Sequence, residues 1–226
     1  MKAHHPNSLC LPAVEELQHY LSTQNEWEHN FGISDGQTGS VIGKMFGVLV
    51  VETPQKNIEH LWAFSGKLAD KNLFSRFVPP VFDTLAENSF LSAGMEVLTQ
   101  MGEEISTAPL EAIPRLKAAR KKYSIALQNQ LFQQYHFLNQ VGEEKSLIAI
   151  FKEAGYKNPP AGAGECAAPK LLQYAFQHQL KPIALTEFWW GQSPKSATWK
   201  HGHFYAPCKE KCEPILKHML DGIYGI

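Results

Sequence analysis

A chain of 226 residues with 44% hydrophobic and 11% aromatic content carries enough apolar surface for a sizeable core, which excludes a disordered chain. A net charge of −1 supplies no global attraction to nucleic acid or to an anionic membrane, so any such contact must come from local patches. No 18-residue apolar run predicts a membrane span, and the Met-Lys-Ala-His-His-Pro start lacks the apolar centre of a signal peptide. Four cysteines, three of them clustered beside histidines, do not pattern as a secreted disulfide framework, so a cytoplasmic protein is expected.

Residues 1–30 form a helical extension: Val14, Leu17, Tyr20 and Leu21 recur at helical spacing after Pro12. Residues 31–44 are rich in Gly, Ser and Asp and predict a loop. Two apolar strands follow, Met45 to Val51 and Ile58 to Phe64, joined by the turn residues Thr53 to Asn57. Unbroken apolar runs of this kind suit a sheet buried on both faces. Phe77 to Phe82 is a rigid, proline-containing connector.

A helical insertion is expected over about 84–155. Its first part, 84–106, is helical, and the strongest helical signal runs from Arg115 to Gln140. There Leu116, Tyr123, Leu127, Leu131, Tyr135 and Leu138 recur three or four apart. Such a helix would be about 39 Å long, an arm rather than a core element. Glu143 to Ala154 predicts a second helix. A Gly- and Pro-rich loop leads to a helix from about Ala168 to Gln179, a strand from Lys181 to Trp190, a polar loop, and a last helix from Cys208 to Leu220. Hairpin, insertion, helix, strand and helix together predict an α/β fold with a three-layer core, about 40–82 and 160–226, in a single domain over 1–226.

The chemistry concentrates in the last third. Cys166 and Cys208 fall at predicted helix starts, where exposed N–H groups favour a thiolate. Cys212 stands one helical turn after Cys208. These three cysteines could fill three of zinc's four tetrahedral positions, with His201 or His203 as the fourth and His203 the expected ligand. Small buried cysteines are the bland alternative.

This order of elements, with Cys-x-x-Pro-Lys opening one helix and Pro-Cys opening the next, resembles the cytidine-deaminase-like fold. The resemblance implies zinc on the two segments and a catalytic Glu two residues after the first ligand. That position is Ala168, and the second ligand pair is spaced Cys-x-x-x-Cys rather than Cys-x-x-Cys. An active site would need another carboxylate, Glu165 or Glu187, turned into the cluster.

A second set of blocks extends across most of the chain: Gly43 to Val51, Ala63 to Ala69, Phe77 to Asp83, Gly164 to Leu172, Glu187 to Gly191 and His201 to Cys208. They resemble the long N-terminal region found ahead of the catalytic domain in some RluA-type pseudouridine synthases. The resemblance implies an RNA-modification accessory module, with structured RNA or a synthase catalytic domain as partner. The synthase's Arg-Leu-Asp motif is absent from this chain, so isomerase activity is not expected.

Two surface features suit RNA. Five basic residues lie between Arg115 and Lys122, among them Arg120, Lys121 and Lys122. Trp190, Trp199, Lys200 and His201 mix aromatic and cationic groups in one loop region. A solvated helix face and an aromatic core edge are the alternatives. The two functional readings are therefore an RNA- or partner-binding module and a zinc-dependent deaminase-like hydrolase.

Overall fold

The computed structural model describes residues 5–33, 38–195 and 199–221. It forms two compact units, one of residues 1–81 with 136–226 and one of residues 82–135.

The first unit is built on a three-stranded antiparallel sheet in the order β2-β1-β5, where β1 is Lys44–Glu52, β2 is Ile58–Phe64 and β5 is Lys181–Trp190. Central β1 is buried at every position from Met45 to Val51 because both of its faces are covered. The pleat sends alternate side chains to opposite faces. Phe46, Val48 and Val50 join Phe64, Ala184 and Phe188 in a cluster with Val14, Leu17 and Leu21 of helix α1, Leu11–Thr23.

The opposite face receives helix α5, Ala167–Gln177. Gly47 sets how closely it packs: a Cβ there would stand 2.9 Å from both Ala167 Cβ and Leu171 Cδ1. Helices therefore lie on both faces of the sheet, an α/β arrangement. The same unit carries a short hairpin of β3 (His136–Leu138) and β4 (Glu144–Ser146), then α4 (Leu147–Glu153) and the terminal α6 (Glu213–Met219).

The second unit holds α2 (Phe90–Thr107) and α3 (Ile113–Phe132). Ser89 caps α2 by accepting from Ser92 N at 3.1 Å. Leu127 of α3 packs where Gly94 leaves space, since a Cβ on Gly94 would come within 2.5 Å of Leu127 Cδ1. Arg120 Nε donates to Leu98 O at 3.1 Å and ties the two helices together.

Several elements depart from the sequence expectation. The N-terminal helix covers Leu11–Thr23 rather than running on to residue 30, and the helix expected from residue 84 begins at Phe90. The long helix ends at Phe132, not Gln140, because His136–Leu138 pairs with Glu144–Ser146 and buries Phe137 completely. The helix expected from Glu143 starts only at Leu147, capped by Ser146, and residues 136–155 belong to the unit that contains the sheet. The last helix begins at Glu213, so Cys208 and Cys212 lie in the turn that leads into it.

Candidate metal centre

Three sulfurs meet where α5 starts and α6 is about to start. Cys166, Cys208 and Cys212 place their Sγ atoms within 4.8 Å of one another, and Cys208 and Cys212 Sγ are 3.2 Å apart. Cys166 is the N-cap residue of α5, with extended backbone, and its side chain makes no capping bond to the helix. Its sulfur is thereby left to face the other two. The second pair sits on one helical turn, in which Cys212 N and Glu213 N both donate to Cys208 O at 3.1 and 3.0 Å. That turn accommodates the three-residue gap, so the Cys-x-x-x-Cys spacing still brings two sulfurs to one point.

Thiol electrostatics reflect the crowding. Cys208 is pulled well below the ordinary thiol range by its sulfur hydrogen bonds with Cys166 and Cys212 and by the backbone N–H groups of Lys211 and Cys212. Cys166 and Cys212 are pushed up by the same contacts and by burial. Three thiolates this close repel one another, so a cation would be needed to hold all three ionised. Zinc binds thiolate at about 2.3 Å, which places tetrahedral ligands about 3.8 Å apart, between the 3.2 Å Cys208–Cys212 separation and the 4.8 Å that spans the group. The remaining cysteine, Cys10, fits the bland alternative: it is buried in the α1 cluster, and burial raises its pKa to about 11.

Beside the sulfurs lies Glu187, 5% exposed. It sits on β5 opposite Gly47 and points to the α5 face. Its Oε1 accepts the Ala168 N–H at 3.1 Å. Burial pushes its pKa up to about 7; the Ala168 bond opposes that rise and the Cys208 thiolate adds to it. The carboxylate in turn raises the Cys166 and Cys212 thiols. It is not one of the three grouped ligands. This is one of the two carboxylates named from the sequence, an acid in the strand end Thr-Glu-Phe-Trp-Trp.

The other expected site residues divide. His203 does not join the cysteines: its side chain is exposed, and its carbonyl accepts from Trp189 N at 2.9 Å along the β5 edge. The loop runs back beside β5, with Gly202 N donating to Trp189 O, and this turns the histidine outward. His201 Nδ1 accepts from Gly191 N at 3.0 Å, and its ring lies 4.2 Å from that of Trp190.

Glu165 pairs with Lys170 at 3.7 Å rather than entering the cluster. Burial raises its carboxyl, and Lys170 opposes that shift. Lys170 is 2% exposed and donates to Phe64 O and Gly66 O at 3.1 and 3.2 Å, which fixes α5 to the end of β2.

Among the RNA candidates, Trp190 is buried in the α1 cluster and offers no stacking face. Trp199 is half-buried 4.2 Å from Trp189, while Lys200 and His201 are exposed. Arg120, Lys121 and Lys122 are exposed on α3. Lys117, Arg120 and Lys121 line a concavity of about 530 Å³ in the helical unit.

No family model, curated protein or solved structure matches this chain. Nothing in those comparisons connects it to the RluA-type synthases. Among the described residues, no helix is long and apolar enough to cross a membrane.

Proposed function

We propose that this chain is a zinc protein of the deaminase-like hydrolase type, with Cys166, Cys208 and Cys212 as the metal ligands and the fourth position left to an exogenous ligand. The observation that carries this reading is the convergence of three sulfurs, from segments 42 residues apart in sequence, within 4.8 Å. Soft thiolates on a half-buried site select zinc over the hard cations, and a metal dication would offset the mutual repulsion of three clustered thiolates. The order of hairpin, helix, strand and helix, with β1 antiparallel to both neighbours, supports the cytidine-deaminase-like core.

The test is the metal content of the purified chain under reducing, chelator-free conditions. About one zinc per chain is expected, falling to near zero in Cys208→Ala. A metal-free wild type that also fails to take up added zinc would end this reading.

A second reading, an RNA-binding module for RNA modification, is favoured by one observation: Lys117, Arg120 and Lys121 line a single concavity. It predicts binding of a structured RNA that falls steeply with salt and weakens in Lys121→Ala. Salt-independent binding, or equal binding by the variant, would remove it.

A further inference from the structure

We propose, independently of the zinc reading, that the helical unit docks onto a second copy of this chain. The acidic side of α2 in each copy seats against the basic side of α3 in the other.

Charge is divided between the two helices. Helix α2 carries three glutamates, Glu96, Glu103 and Glu104, and no basic residue, whereas α3 carries five Lys or Arg and no acid. Yet among the described residues no ion pair joins them. Arg120 gives its Nε–H to the Leu98 carbonyl, and Leu127 fills the space at Gly94. The seam between the helices is therefore uncharged, and their opposite charges face solvent instead of each other.

Two concavities show where those charges gather. Glu96 and Glu103 line one of about 520 Å³ together with Met95 and Thr99. Lys117, Arg120 and Lys121 line the other, of about 530 Å³, which also includes Gly102 and Ile125. Thr99 of the first and Gly102 of the second stand three apart on α2, and residues at that spacing are neighbours on a helix surface. The acidic and basic concavities thus adjoin along one side of the hairpin. Each also holds a half-exposed apolar side chain, Met95 at 54% and Ile125 at 49%.

A surface with an acidic half beside a basic half is complementary to itself. Turned about a two-fold axis, each acidic half meets the basic half of the other copy, and the contact is made twice. With 18 and 20 residues, α2 and α3 are about 27 and 30 Å long and match well enough to build a four-helix bundle with their counterparts. Such a bundle covers Met95 and Ile125 and adds a second seam to helices that bury Gly94 and Leu98 on α2 and Leu127 and Phe132 on α3. RNA competes for the same lysines but fits this surface less well. Its phosphates would meet opposite charge on one half and like charge on the other.

Sedimentation velocity of the full chain over a range of concentrations and salt tests the assignment. The wild type should form a reversible dimer that weakens as salt rises, because the contact rests on charge. Two variants reverse one half each: Glu96→Lys with Glu103→Lys, and Lys117→Glu with Lys121→Glu. Each alone should associate about 100-fold or more weakly, since like charges then face one another. An equimolar mixture of the two should sediment as a dimer again, which also shows that both are folded. A wild type that stays monomeric would overturn the proposal, and a monomer that binds a structured RNA hairpin would assign the basic concavity to RNA instead. A dimer insensitive to salt, or unchanged in both variants, would place the interface elsewhere and overturn it equally.

Discussion

Helices α5 and α3 differ in what holds them. Of the 11 residues of α5, eight are buried, among them a lysine and a glutamine. Of the 20 residues of α3, Leu127 and Phe132 are the buried ones. The shorter helix is secured by tertiary contact on nearly every side. The longer one rests on helix-favouring Ala, Leu, Lys, Arg and Gln and on a narrow seam against α2. The first therefore has little freedom to change, and its ends carry fixed chemistry. The second presents exposed cations and leaves room for substitution.

One lysine from each region sharpens the contrast. Lys170→Met should cost about 3–5 kcal/mol, since it removes a buried cation that pairs with Glu165 and donates to two carbonyls. A urea titration reads this as a shifted midpoint. The same titration on Lys121→Ala should show a change within about 0.5 kcal/mol, as expected for an exposed helix position. Comparable losses in the two variants would break the contrast between the regions.

Much of the first unit was legible in the sequence because its signals are local. Apolar runs delimit β1, β2 and β5 to within a residue or two of their observed ends, and Pro169 and Cys166 mark the start of α5. The helical unit was legible in type but not in extent. Nothing between Gln128 and Gln134 carries a stop signal, and the helix ends because a two-strand ladder captures the next segment.

At the site, residue type identified the three cysteines. The fourth ligand expected at His203 failed because hydrogen bonds along β5 decide which way that loop faces. Trp190 failed as a stacking residue for a similar reason: strand alternation, not composition, sends it into the core. Glu187 was named in the sequence beside Glu165, but which of the two faces the start of α5 took the β1–β5 register, which pairs Glu187 with Gly47. Pairing across 140 residues of chain is invisible to a local reading.

The central claim is a centre of three thiolates with one exchangeable position, and X-ray absorption at the zinc edge of the zinc-loaded chain tests it most directly. The account predicts three sulfurs at about 2.3 Å and one oxygen or nitrogen at about 2.0 Å. A shell of light atoms alone, or of four sulfurs, would contradict it.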